Sequence, residues 1–83
     1  MVKLFYTYVL KSLKDGWLYV GYTDDLNQRM ERHNKGVVEA TKNRRPLKLV
    51  YFEACLNKQD AINREKQLKT GYGRAYLKRR ISD

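Results

Sequence analysis

Two short apolar runs at the start of the chain predict a β-hairpin. Residues 4–12 and 17–22 are rich in aromatic and β-branched side chains, which favour strands. Between them, Asp15 and Gly16 form a dipeptide that is typical of tight hairpin turns. The two runs should therefore pair as antiparallel strands.

The rest of the chain shows one further strand and three helices, separated by capping and breaking residues. Thr23 can cap the first helix, Gly36 can end it, and Asn57 can cap the second helix. Gly71 and Gly73 are expected to interrupt the chain before the last helix. The predicted elements after the hairpin are a helix over residues 24–35, a strand over 47–54, and helices over 58–69 and 74–80.

The element order β-β-α-β-α-α predicts an α+β fold, in which helices flank a small three-stranded antiparallel sheet. The length of 83 residues allows one domain, spanning residues 1–83, with a single two-layer core. No run is long enough to cross a membrane, and the first residues have the pattern of a strand rather than of a signal peptide. The one cysteine, Cys55, cannot form an internal disulfide, so a reducing, cytoplasmic location is expected.

Charge changes this picture by indicating a polyanionic partner. The net charge is +9, from 18 Lys and Arg residues against 9 Asp and Glu residues. Nucleic acid is the first candidate and an acidic membrane surface the second, while solubility alone is the alternative. The candidate contacts to a phosphate backbone are Lys42, Arg44 and Arg45 in a loop, and Lys78, Arg79 and Arg80 near the chain end. For each cluster the alternative is an ordinary solvated face.

One face of the predicted hairpin gathers two tyrosines and a glycine. A four-residue loop, 13–16, places Tyr8 opposite Gly21, and a two-residue turn shifts this pairing by two residues. In either register Tyr8, Tyr19, Gly21 and Leu10 share one face. Gly21 leaves that face locally open, so that a phosphate or a metal-bound water could approach. The alternative is an aromatic pair that belongs to the core.

Three polar residues on the predicted helices are candidates for phosphate or metal chemistry. Arg29 and His33 are four residues apart and share one helix face, which either meets an anion or is solvated. Glu65 lies on the face of the second helix that is predicted to pack toward the sheet. A carboxylate that points inward needs a partner, which a metal ion, Arg29 or Lys69 could supply.

Together these residues resemble the signature of the GIY-YIG nuclease family. Residues 6–8 (YTY) and 19–21 (YVG) are similar to the two triplets that give the family its name. Arg29 follows at the family's interval, His33 lies one turn later, and Glu65 matches the metal-binding glutamate of the next helix. The resemblance covers nearly the whole chain and is strongest to the short stand-alone branch of the family.

The resemblance implies a metal-dependent endonuclease that hydrolyses phosphodiester bonds in DNA. Glu65 would bind one Mg²⁺ or Mn²⁺ ion, Arg29 would stabilise the charge on the phosphate, and Tyr19, with Tyr8, would activate the attacking water. His33 is a weaker candidate for the base or for a phosphate contact. The implied partner is nucleic acid, DNA rather than RNA, with no membrane, and a homodimer or a partner protein could supply targeting.

The sequence departs from the family pattern at two positions. Tyr6 stands where many members have glycine, and no asparagine follows Asn63, although many members carry one after the glutamate helix. The second departure favours an alternative function, in which the chain binds nucleic acid on the same fold with little or no catalysis. A further alternative is a basic protein associated with RNA or the ribosome, in which the tyrosines belong to the core.

Overall fold

The computed structural model describes residues 2–81, and the predicted order of strands and helices is confirmed. The strands are β1 (Phe5–Ser12), β2 (Leu18–Thr23) and β3 (Leu47–Cys55), and the helices are α1 (Leu26–Lys35), α2 (Lys58–Leu68) and α3 (Gly71–Arg80). A short 3-10 helix, Lys42–Arg44, lies in the loop between α1 and β3. No helix within the described residues is long and apolar enough to cross a bilayer.

The sheet is antiparallel, with β1 in the centre and the strand order β2-β1-β3. The hairpin loop has four residues, and Tyr8 faces Gly21. In the loop, the Asp15 carboxylate accepts a hydrogen bond from the Trp17 N–H at 3.0 Å, and Gly16 has a φ of +77° that favours glycine. The structure therefore has the first of the two predicted registers.

Side chains along β1 alternate between the two faces of the sheet and contribute to a separate hydrophobic cluster on each face. Tyr8 and Leu10 are fully buried on the face that α1 covers. Val9 is fully buried on the opposite face, against Leu68 of α2 and Leu77 of α3. The prediction of a single two-layer core is therefore wrong, because helices cover both faces of the sheet.

The helix ends follow the predicted signals except at the starts of α1 and α3. Asn57 caps α2 and Gly36 ends α1 with a φ of +78°, as predicted. The cap of α1, however, is Asp25, whose carboxylate accepts a hydrogen bond from the Gln28 N–H at 3.0 Å. Thr23 cannot cap this helix because it still belongs to β2, where its hydroxyl accepts a hydrogen bond from the Asp25 N–H at 3.1 Å.

Helix α3 begins at Gly71 rather than at Arg74, so the two glycines expected to break the chain lie in its first turn. Thr70 caps the helix by accepting a hydrogen bond from the Gly73 N–H at 3.2 Å. A Cβ at Gly73 would lie 2.3 Å from the Cα of Leu68. Glycine at this position therefore allows the start of α3 to lie directly against the end of α2.

This contact predicts that Gly73→Ala lowers the free energy of unfolding by about 1 to 3 kcal/mol, because the added methyl meets backbone atoms that cannot move aside. Urea denaturation measures the change. Gly71→Ala is the matched control, since nothing lies within 4 Å of a Cβ there. Alanine in place of Gly71 should leave stability unchanged or raise it by up to ~1 kcal/mol. Equal stability of the two variants would contradict the close contact.

Candidate active site

The hydroxyl of Tyr8 is the centre of a buried chain of hydrogen bonds. Tyr8, His33 and Thr41 each have 0% of their surface exposed. The Tyr8 hydroxyl lies 2.8 Å from Nε2 of His33, and Nδ1 of His33 lies 2.7 Å from Oγ1 of Thr41. These two bonds join β1 to α1, and α1 to the loop that precedes β3.

Arg29 of α1 brings a positive charge to both tyrosines. Its Nε donates a hydrogen bond to the Tyr8 hydroxyl at 3.2 Å. This hydrogen bond raises the pKa of Arg29, and electrostatic interactions with Tyr8 and Tyr19 make smaller contributions in the same direction. The ring centroid of Tyr19 lies 6.3 Å from that of Tyr8 and 5.4 Å from that of His33. Tyr19 is partly exposed, so it is the phenol of this cluster that solvent can reach.

Burial controls the protonation of the two groups at the centre of the chain. It raises the pKa of Tyr8, although the hydrogen bond from Arg29 acts in the opposite direction. Burial and the positive charge of Arg29 lower the pKa of His33 to about 4, so the imidazole is neutral at neutral pH. With Arg29 donating to the Tyr8 oxygen, the Tyr8 O–H can donate to Nε2, and Nδ1–H can donate to Thr41.

His33 does not lie where the helix pattern placed it. Both of its predicted surroundings, an anion or solvent, are wrong, because its ring is fully buried between Tyr8 and Thr41. The cause is the packing of α1, whose residues Leu26 and Met30 lie against the core on the same side. His33 therefore holds the Tyr8 hydroxyl in place and has no free ring nitrogen to offer a phosphate.

The space above Gly21 is also different from the prediction. A Cβ at this position would lie 2.5 Å from both Cζ and the hydroxyl oxygen of Tyr8. The ring of Tyr8 thus crosses the backbone at Gly21, because the observed register places the two residues directly opposite each other. The expectation that Gly21 leaves an opening for phosphate or water is wrong, since the glycine makes room for Tyr8.

Glu65 approaches this cluster from α2, which covers the opposite face of the sheet. Its Oε2 lies 3.2 Å from Nζ of Lys69, and its side chain is 21% exposed. Of the three predicted partners for this carboxylate, the structure shows Lys69. The negative charge of Glu65 is also one of the smaller causes that raise the pKa of Tyr8, so the two groups lie within electrostatic reach.

The carboxylate of Glu65 fits a metal ion only if most ligands come from elsewhere. Within residues 2–81, no group of three or more His, Cys, Asp or Glu side chains could hold a metal ion. Mg²⁺ prefers oxygen ligands, retains several waters and takes further ligands from phosphates. A single, partly exposed carboxylate is compatible with that kind of binding.

The loop cluster of predicted phosphate contacts is engaged in contacts within the protein. Lys42 lies 3.1 Å from Glu39, and Arg44 lies 2.6 Å from Asp15 in the hairpin loop. Arg45 donates from Nε to the backbone carbonyl of Lys42 at 3.0 Å. Because partly exposed ion pairs contribute little to stability, these cations can exchange their partners for phosphate at small cost.

The second cluster occupies the last turn of α3. The Arg80 guanidinium lies 4.6 Å from the ring centroid of Tyr76, and Nε of Arg79 donates to the Ala75 carbonyl at 3.5 Å. Lys78 is exposed and points to the same surface as Arg74, one turn earlier, because both line one groove. Lys78 therefore lies on a different surface from Arg79 and Arg80, together with Lys69 and Arg74.

Sequence reasoning missed Thr41, which completes the buried chain, and the cation Arg74, and it considered Lys69 only as an ion-pair partner of Glu65. A threonine in a basic loop carries no signal of burial, since only the folded loop brings it to His33. The spacing of Arg74 and Lys78 already places them on one face of the predicted helix 74–80, but their position relative to Lys69 depends on the start of α3 at Gly71. The start of α3 was the predicted boundary with the largest error.

The lowered pKa of His33 predicts how stability depends on pH. An unfolded histidine has a pKa near ~6.5, so between pH 6.5 and pH 4 the unfolded chain binds a proton that the folded chain does not. The free energy of unfolding therefore has its full value above pH 6.5. It falls as the pH is lowered, by about 2 kcal/mol between pH 7.5 and pH 5. Urea denaturation at each pH measures the loss.

The control is His33→Gln, which retains a hydrogen-bonding side chain but cannot titrate. The difference between the two proteins isolates His33, because all carboxylates are present in both. His33 is also the only histidine of the chain, so its ring signals can be followed by NMR without ambiguity. A parallel fall in stability of both proteins below pH 6.5 would contradict the neutral, buried imidazole.

Comparison with known proteins agrees with this fold. The model of the GIY-YIG catalytic domain matches residues 4–81. A UPF0213 protein of Pediococcus pentosaceus is 49% identical over 70 residues, which are 83% of this chain and 73% of that protein. A UPF0213 protein of Staphylococcus aureus is 46% identical over 66 residues, which are 78% of this chain and 79% of that protein.

A solved structure is similar as well. The solution NMR structure of a UPF0213 protein from Bacillus halodurans superposes with a TM-score of 0.55 at 32% sequence identity, covering 89% of this chain and 81% of that chain. The domain match indicates a nuclease-like function and, in general terms, binding to nucleic acid. This chain belongs to the GIY-YIG family, and its relatives are the stand-alone UPF0213 proteins.

Proposed function

We propose that the chain is a metal-dependent endonuclease that hydrolyses phosphodiester bonds in DNA. The observation that carries the proposal is the position of Arg29, whose Nε is fixed on the buried Tyr8 hydroxyl and whose charge lies beside the reachable phenol of Tyr19. Hydrolysis of a phosphodiester needs a fixed positive group for the phosphate and a nearby acceptor for a proton. This cluster supplies both.

Arg29 is the group that holds the phosphate. Its Nε is used by Tyr8, which leaves the terminal nitrogens of the guanidinium as donors to a non-bridging oxygen. The hydrogen bond to a buried hydroxyl restrains the direction of this fork. The guanidinium therefore needs little rearrangement as negative charge builds on the phosphate.

Tyr19 is the group that activates water, and Tyr8 positions the site. The ionised phenol of Tyr19 accepts the proton as the water oxygen attacks phosphorus. The P–O bond to one sugar then breaks, and solvent protonates the departing oxygen. Tyr8 is buried and bonded to both Arg29 and His33, so it orients the guanidinium rather than meeting water.

Glu65 is the residue that would hold a single Mg²⁺ or Mn²⁺ ion. When bound, the ion would neutralise charge on the scissile phosphate and on the leaving oxygen. Glu65 must then leave its ion pair with Lys69, which is exposed enough to turn toward a phosphate instead. Loss of a partly exposed ion pair of this kind costs little.

The ion pair between Glu65 and Lys69 also favours a second candidate function. A carboxylate that already has a partner does not require a metal, and no asparagine follows the α2 helix to support one. In this alternative the chain binds nucleic acid on the same fold with little or no catalysis, with RNA as one target. The basic residues then act without the tyrosine cluster.

The test is cleavage of labelled duplex, single-stranded and branched DNA, and of RNA, in the presence of Mg²⁺ or Mn²⁺. Glu65→Gln should lower the rate by roughly 100-fold or more, the size typical for the loss of one electrostatic catalytic group. Glu31→Gln is the matched control, because it removes the same charge from an exposed position on α1 and should leave the rate unchanged.

Two outcomes decide between the candidates. Cleavage by the wild type and the Glu31→Gln variant, and not by the Glu65→Gln variant, supports the endonuclease. Absence of cleavage on every substrate with either metal, together with salt-sensitive binding that is equal in all three proteins, contradicts the endonuclease and supports the binding module.

A further inference from the structure

A groove outside the tyrosine cluster runs between the edge strand β2 and the helices α2 and α3. Its volume is about 430 Å³, within the range of sites that hold small organic ligands. Leu18, Leu68 and Leu77 form an apolar floor. Gly73, which brings α3 against the end of α2, helps to shape this groove.

The rim of the groove is cationic. Lys69, Arg74 and Lys78 line it, and all three are exposed. The two residues of α3 lie one turn apart on one helix face, so their charges act on the same volume. Glu65 meets this rim through its ion pair with Lys69. An apolar floor with such a rim is complementary to a ligand that has a flat apolar part and an anionic part.

Two aromatic residues lie along the groove at the end near the candidate active site. Trp17 and Tyr19 both line it, with ring centroids 6.1 Å apart, and Trp17 is 38% exposed. The Arg44 guanidinium lies 4.1 Å from the centroid of the Trp17 ring. Exposed aromatic rings next to cations are the means by which proteins hold unpaired nucleotides, since bases stack on the rings and phosphates meet the charges.

The groove is continuous with the candidate active site. Tyr19 belongs to both, and Lys69 of the rim is the ion-pair partner of Glu65. A nucleotide in the groove would therefore share the β2 edge with a phosphate that Arg29 holds on the other face of the sheet. A base inside a duplex is stacked and paired on both sides, so it cannot enter an apolar groove without first being flipped out.

We propose that this groove binds an unpaired nucleotide, and that the substrates of the chain carry an unpaired segment beside the scissile phosphate. The binding part of this proposal stands on the groove alone, whereas the position beside the scissile phosphate rests on the proposed function. Single strands, flaps and branches offer such a nucleotide, and an intact duplex does not.

The test is a binding titration in EDTA, where no cleavage occurs. Trp17 is the only tryptophan of the chain, so its fluorescence reports on the groove directly. The probes are an oligothymidylate of about 12 nucleotides and an abasic oligomer of the same length and charge. Oligothymidylate should change the fluorescence of Trp17 and bind about tenfold more tightly than the abasic oligomer, which corresponds to the stacking of one base.

Two double variants separate the groove from general charge. The Arg74→Ala, Lys78→Ala protein can no longer hold a phosphate at the rim, so the strand is not kept over the groove, the preference for bases should be lost, and oligothymidylate should bind about tenfold more weakly. The Arg32→Ala, Lys58→Ala protein loses the same residue types and the same charge from exposed positions outside the groove. It should retain the preference in full. Thermal unfolding of both variants checks that they fold.

Equal binding of the two oligomers to the wild type would overturn the proposal without any variant, and so would an equal loss of preference in both double variants. Failure of the proposed function gives a different result. If the groove prefers bases but no substrate is cleaved, only the endonuclease falls. If cleavage depends on Glu65 but the groove shows no preference for bases, only the groove proposal falls.

Discussion

The buried hydroxyl of Tyr8 is the constraint on which the site depends. A polar group with no exposed surface must find its partners inside the protein, and this hydroxyl finds Arg29 and His33. His33 in turn draws Thr41, and with it the loop before β3, onto the core. The ring can reach this position only because Gly21 has no side chain. One network therefore sets the packing of α1, the course of a basic loop and the direction of the guanidinium.

The same network gives different roles to Tyr8 and Tyr19, which look equivalent in the sequence. Tyr8 is committed to structure by its burial, and Tyr19, on the same face of the sheet, remains open to solvent at the β2 edge. At that edge, side chains from both faces of the sheet come together. Arg29 of α1 lies on one face, Glu65 of α2 lies on the other, and Tyr19 lines the end of the groove. An edge strand thus connects the candidate site to the cationic surface around it.

The sequence was informative wherever a local rule decides the structure. The strand pattern, the hairpin turn and the cap at Asn57 follow from local propensity, and the order of the strands and α-helices was predicted correctly. It was not informative where tertiary contacts decide. Helical spacing placed Arg29 and His33 on one face but could not say that His33 is buried. A glycine such as Gly73 is expected to interrupt a helix, and only its contact with Leu68 shows that it allows two helices to pack closely.

The division between Tyr8 and Tyr19 is tested most directly by measuring the single-turnover cleavage rate and the free energy of unfolding of the same two variants. Tyr8→Phe should lower both, because the buried network loses the hydroxyl that joins Arg29 to His33. Tyr19→Phe should lower the cleavage rate and leave the free energy of unfolding nearly unchanged, because Tyr19 is partly exposed. The assignment is contradicted if Tyr19→Phe lowers the free energy of unfolding as much as Tyr8→Phe does, or if it leaves the cleavage rate unchanged.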